Sequence, residues 1–166
     1  MTRVHTLIDT PLGELTAVAE DGSLTALYFP SHKRMPDAAT FGERTAVGFE
    51  AVAEQLAEYF AGQRRDFDLP LAPKGDPFKL SVWALLREIP YGQTRSYGQL
   101  AAALGDVHLA QAVGHANGKN PISIVVPCHR VVGADGSLVG YAGGLERKRF
   151  LLELEEPAEV KAGKLF

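Results

Sequence analysis

From Arg3 to Phe29, apolar residues come in short β-rich runs broken by Pro11-Leu12-Gly13 and by Asp21-Gly22. The pattern predicts strands, with Asp21-Gly22 as a two-residue hairpin turn joining 17–19 to 24–29. Residues 30–39 are polar and irregular. Over 45–60 the period changes: Val47, Val52, Leu56, Tyr59 and Phe60 recur at helical spacing, and Gly62 supplies a stop. Residues 64–76, with Pro70, Pro73 and Gly75, read as a segment crossing between two domains, with one short strand or extended piece near 67–71.

The second half is more helical. Pro77 can open a helix with Phe78, Val82, Leu85, Leu86 and Ile89 as its apolar stripe and Trp83 beside it, closed by Pro90-Tyr91-Gly92. Ser96-Tyr97-Gly98-Gln99 has capping-box spacing, so a helix is expected from there to Leu104. Gly105 fits its end, and Asp106 can cap the next helix, through Ala116. Ile122 to Val126 reads as strand, ended by Pro127. The expected fold class is α/β in two domains: a small amino-terminal sheet with a helix (1–75), then a mostly helical, winged helix-turn-helix-like domain (76–166).

Composition narrows the function classes. With 166 residues, 46% of them apolar and 22% charged, the chain reads as soluble and globular. Its one cysteine excludes an intramolecular disulfide and a multi-cysteine zinc site. The start MTRVHTLIDT has no signal-peptide core, and no apolar run suggests a membrane span, which points to a reducing cytoplasm. The net charge of -3 argues against a generally basic nucleic-acid binder, but it is unevenly spread: -4 over 1–75 and +1 over 76–166. Any nucleic-acid contact therefore belongs to the second half. The small residues Ala110, Ala112, Gly114 and Ala116 allow either a tightly packed core helix or close approach to a DNA backbone. Gln111, His108, His115 and Asn117 offer little sequence reading there.

Cys128 stands in VPCHRV. A lone cysteine is usually inert core, but His129 and Arg130 would be costly neighbours in an apolar interior. They can instead favour a thiolate, by charge and by proton removal. A redox thiol would need a resolving partner, which the chain lacks. Alkyl transfer needs no second cysteine, metal or cofactor, because a thioether is stable and the protein can act once, so none is expected. A thiol-dependent hydrolase remains the alternative, distinguished by turnover.

These residues resemble the O6-alkylguanine-DNA alkyltransferase family. The resemblance rests on IVVPCHRVV with the preceding Gly118-Lys119-Asn120-Pro121, then Tyr141-Ala142-Gly143-Gly144, Lys148 and Leu151 to Glu155. It covers residues 77–155, with only general character shared earlier. It implies a monomer acting on double-stranded DNA. The alkyl group of O6-alkylguanine, and also of O4-alkylthymine, would pass irreversibly to Cys128. It implies His129 as base through a bound water, Glu155 orienting that imidazole, Asn120 bracing the turn, and Tyr97 facing an extruded nucleotide. Arg130 and the Val131 backbone would lie at the base pocket, with Tyr141, Ala142 and Gly143 as its wall and Gly114 and Gln111 on the DNA side. The chain departs from the family pattern at Gln111, where an arginine is usual three residues before the glycine of Ala-Val-Gly. It departs again at Ala142, where a serine is sometimes found. Non-catalytic relatives replace the acceptor cysteine, and regulatory relatives carry an extra metal-binding domain; this chain has the cysteine and lacks the cysteines of such a domain.

Overall fold

The computed structural model describes residues 2–30 and 35–157; residues 31–34 of the irregular stretch and 158–166 lie outside the described residues. The β-rich runs close into three antiparallel strands, β1 (Arg3–Thr10), β2 (Gly13–Glu20) and β3 (Ser23–Tyr28). At the β2–β3 turn Asp21 and Gly22 both hold positive φ, 51° and 87°. That pair of left-handed conformations matches the twist of the flanking strands. A two-residue strand, β4 (Glu43–Arg44), adds parallel to β1, giving the order β3-β2-β1-β4.

Helix α1 (Glu50–Phe60) buries Val52, Leu56 and Tyr59. It starts five residues later than its apolar spacing predicts. Glu43 and Arg44 are drawn into β4, Gly48 turns the chain at φ 93°, and Val47 is 75% exposed rather than part of the stripe. The extended piece expected near 67–71 shrinks to a single bridge between Leu71 and Leu24. Leu24 donates to the Pro70 carbonyl and accepts from Ala72, both at 2.8 Å.

In the second half, α2 (Pro77–Arg87) is capped by the Asp76 carboxylate on the Lys79 N–H at 2.9 Å, with Pro77 in the first turn. Its Trp83 donates to the Ala116 carbonyl at 2.8 Å. Helix α3 (Tyr97–Ala103) has both halves of the capping box: Gln99 N–H to Ser96 Oγ at 3.1 Å, and Ser96 N–H to Gln99 Oε1 at 2.8 Å. A short 3-10 turn capped by Asp106 leads into α4 (Ala110–Gly118), and α5 (Leu145–Glu155) closes the described chain. The two-residue strands β5 (Arg95–Ser96) and β6 (Val131–Val132) pair in parallel.

Both halves contribute to one core, in which Leu27, Phe29 and Tyr59 pack with Trp83, Val113, Ile122 and Leu151. The outer edge of β3 is covered a second time, farther along. Leu27 donates to the Pro121 carbonyl at 2.8 Å, and Ser123 donates back to the Leu27 carbonyl at 3.2 Å. An otherwise open sheet edge thereby anchors the segment that leads to Cys128.

Candidate active site

Residues 122–126 form a buried turn rather than the expected strand; only Ile122 pairs with the sheet. A run of buried β-branched residues reads alike in either case, and here Asn120 decides the outcome. Its Nδ2 donates to the Val126 carbonyl at 2.8 Å and to the Ile122 carbonyl at 3.3 Å, while its Oδ1 accepts from the Ile122 N–H at 3.0 Å. Val126 N–H closes on the Ile122 carbonyl at 3.0 Å. Ile124 sits at φ 71°, a left-handed conformation that a β-branched residue adopts only under constraint, costing roughly 1–3 kcal/mol. Such strain is held here to deliver the chain to Pro127 and a 3-10 turn, Cys128–Arg130.

Cys128 is buried at 5% exposure, and the buried Tyr141 hydroxyl has no hydrogen-bond partner among the described residues. Burial pushes the Cys128 thiol upward, against the nearby Asn120 amide, the Lys148 charge and the Tyr141 hydroxyl, which favour thiolate. Lys148 is itself fully buried, and its Nζ donates to the Val139 carbonyl at 2.8 Å. Burial lowers its ammonium to about 8 while a charge on Cys128 would hold it up, so near neutral pH a cation remains close to the sulfur. Burial keeps the Tyr141 phenol protonated.

The two residues after the thiol enter a buried polar cluster. His129 Nε2 is 2.8 Å from Glu155 Oε2. Arg130 grips the same carboxylate twice, Nε to Oε1 at 2.8 Å and Nη2 to Oε2 at 3.0 Å, and donates Nη1 to the Ile89 carbonyl at 2.6 Å. Tyr59, from α1, donates its hydroxyl to Glu155 Oε2 at 2.5 Å. Burial opposes charge on Glu155, yet the His129 and Arg130 contacts outweigh it and bring the carboxyl down to about 2. An ionised carboxylate can only accept, so the imidazole proton sits on Nε2. Nδ1 then carries the lone pair, and it has no hydrogen-bond partner among the described residues. Burial lowers the His129 pKa, which keeps the ring neutral and able to take a proton. The pocket role expected of Arg130 is therefore corrected. At 5% exposure, its guanidinium is spent on Glu155 and Ile89 and does not face a base.

A cavity of about 250 Å³ is lined by Tyr97, Gly114, Asn117, Tyr141 and Ala142 among others, and a charge on Cys128 would be felt by both of those tyrosines. Gly114 stands against the Tyr97 ring: a Cβ there would touch it at 3.6 Å. Gly143 is turned away from this cavity, packed so closely on Phe29 that a Cβ would overlap the ring. It lines instead a separate cleft with Pro11, Leu12 and Arg147. Val131 is buried in β6, and Gln111 is exposed on α4. Sequence reasoning missed Tyr59, which looks like any apolar-face residue of a helix, and it took Asn117 for a possible groove contact, whereas Asn117 is buried and its Oδ1 lacks a partner among the described residues. It also gave no role to Lys148, whose burial nothing in the local sequence signals.

Two family models match the chain: the DNA binding domain of 6-O-methylguanine DNA methyltransferase over residues 77–157, and its ribonuclease-like domain over 4–73. A methylated-DNA--protein-cysteine methyltransferase from Methanosarcina acetivorans is 44% identical over 154 residues, covering 91% of this chain and 97% of that protein. One from Mycobacterium tuberculosis is 47% identical over 156 residues, covering 92% and 94%. The crystal structure of M. tuberculosis O6-methylguanine methyltransferase superposes with a TM-score of 0.85 at 42% identity, covering 97% of this chain and 99% of that one. M. tuberculosis OGT in complex with DNA gives 0.86 at 44% identity, covering 95% and 97%.

Proposed function

The chain belongs to the 6-O-methylguanine DNA methyltransferase family, and on that premise we propose that it repairs O6-alkylguanine in DNA by taking the alkyl group onto Cys128, once per molecule. The observation that carries the assignment is the juxtaposition of one buried thiol, a base-sized cavity walled by Tyr97 and Tyr141, and a neutral His129 with a free Nδ1.

The steps follow from those groups. His129 Nδ1 takes the thiol proton through a water, and the imidazolium that forms is stabilised by the Glu155 carboxylate at 2.8 Å. The Lys148 cation and the Asn120 amide favour the thiolate. Sulfur then attacks the alkyl carbon, forming a C–S bond as the C–O6 bond breaks. The electron pair passes to the guanine, which takes up a proton and leaves as the normal base. Tyr97 donates toward the purine as its charge grows, the Val131 carbonyl accepts from its amino group, and backbone at Tyr141–Ala142 faces O6. A thioether is a poor leaving group, so nothing regenerates the thiol.

A buried thiol cannot reach a stacked base, so the nucleotide must swing out of the duplex. The reading takes double-stranded DNA as the substrate, one chain per lesion, in the cytoplasm, with O4-alkylthymine as a second substrate. No described helix is long and apolar enough to cross a membrane.

Intact mass after incubation with duplex DNA containing O6-methylguanine tests this directly. One methyl per chain is expected, mapped to Cys128 and lost in Cys128→Ser. Product release beyond one equivalent, or a methyl on another residue, overturns it.

A further inference from the structure

The hydroxyl of Tyr59 and the imidazole of His129 meet on one oxygen, Glu155 Oε2, from opposite halves of the chain. Tyr59 belongs to α1, beside the amino-terminal sheet, and is fully buried. Its ring is held edge-on by Phe60 at 5.3 Å and by Tyr91 at 6.3 Å, and Phe67 packs at 5.3 Å, so the hydroxyl has little freedom to turn elsewhere. We propose that Tyr59 is a positioning residue of the transfer reaction, through which the amino-terminal domain sets the basic strength of His129 by sharing the Glu155 carboxylate. The proposal rests on the function read above and goes a step further, giving the amino-terminal domain a part in the chemistry.

The physical argument is one of divided charge. Each donor on a carboxylate oxygen draws electron density from the others. Glu155 receives Arg130 on both oxygens, with His129 and Tyr59 crowded on Oε2. Arg130 is permanently charged and its grip does not vary. Tyr59 is the partner whose donor can be removed without removing a charge. Without it, more of the carboxylate's field falls on His129, and the imidazolium becomes easier to form. The other ionisable groups around the pair are Tyr91, which donates to the Leu154 carbonyl at 3.2 Å, Tyr141, Lys148 on α5, and Cys128. None of these donates to Glu155 Oε2.

The test is the pH profile of methyl transfer from O6-methylguanine duplex at saturating DNA, from pH 5 to 8, in the full chain. Wild-type transfer to Cys128 is the control for the function itself. Tyr59→Phe keeps the ring and removes only the donor; its acid limb is expected to move to higher pH by roughly half a unit, with DNA affinity unchanged within twofold. Site-specific 3-fluorotyrosine at position 59, a stronger donor, is expected to move the limb the other way, and it keeps the proposal testable if the phenylalanine variant folds poorly. Tyr59→Leu controls for the ring. Profiles that superimpose after scaling, or a slowing uniform across pH, overturn the proposal and leave Tyr59 as packing alone.

Discussion

Arg130 and Glu155 are joined by two parallel hydrogen bonds, Nε to Oε1 at 2.8 Å and Nη2 to Oε2 at 3.0 Å, with both side chains buried. The fork fixes the carboxylate plane as well as its charge. That fixes where His129 must donate, and so which ring nitrogen is left to take a proton. A guanidinium two residues from the nucleophile in sequence thus acts at the far side of the imidazole, through Glu155. Truncating either partner strands a buried charge, at a cost of about 3–5 kcal/mol.

Arg130→Met is accordingly expected to lower unfolding free energy by about that amount, and to slow transfer even where the protein is folded. Urea denaturation with transfer rates below the transition measures both. A variant as stable as the parent would contradict the clamp. Arg130→Lys is expected to recover little, because an ammonium cannot span both oxygens.

Stability should also fall with acid. The Glu155 carboxyl titrates near 2 in the folded chain and near 4.5 when unfolded, so its contribution is complete above about 4.5 and is lost as pH falls toward 2. The difference corresponds to about 3 kcal/mol. His129, held neutral by burial, works in the same direction at higher pH: the unfolded chain binds its proton first, so stability declines as pH drops below about 6.5. Urea midpoints at pH 7, 5 and 3 should decrease in that order. Midpoints independent of pH over that span would mean the cluster is not ionised as described.

The features legible in the sequence were those settled by neighbouring residues. Asp21-Gly22 makes a hairpin because its two positions need positive φ, and Ser96 with Gln99 caps α3 because both partners lie within one turn. The candidacy of Cys128 as a nucleophile rested on its flanks, His129 and Arg130. The direction of the Arg130 side chain was not, since Glu155 lies 25 positions away and the sequence alone gives no bearing from one to the other. Tyr59 was less legible still: it meets Glu155 across 96 positions, and a tyrosine on an apolar helix face gives no sign that its hydroxyl has a carboxylate to serve. The turn at 122–126 failed for another reason. Its composition is that of a buried strand, and the staple that prevents one is the single amide of Asn120.

Gly143 and Phe29 couple the pocket wall to the sheet. A methyl group at Gly143 would overlap the Phe29 ring and lie 3.0 Å from Tyr141 Cε2. Phe29 is fully buried, and the Arg147 guanidinium rests 5.2 Å above its ring. Gly143→Ala is therefore expected to cost about 1–3 kcal/mol and to slow transfer by displacing Tyr141. Combined with Phe29→Leu, which opens room, the double variant should be more stable than the sum of the two single losses by about 0.5 kcal/mol or more. Strict additivity would show that the alanine is accommodated elsewhere.

Gln111 stands exposed on α4, the helix whose Gly114 lines the cavity, where the family pattern carries arginine. A side chain entering the stack behind an extruded nucleotide must offset unstacking, a few kcal/mol for a flipped base. Arginine brings a flat charged surface and five donors, whereas glutamine brings a neutral amide with two. Gln111→Arg is expected to speed repair of methylated duplex, with about tenfold for each ~1.4 kcal/mol gained at the transition state. Free O6-benzylguanine enters without leaving a stack, so its reaction should hardly change. Second-order inactivation rates on both substrates, for both proteins, separate the possibilities. Equal acceleration would place the effect at the thiol or the pocket. No acceleration on either would mean that glutamine already fills the gap in the stack, with its amide bonded to the orphaned base and its stem packed between the neighbours.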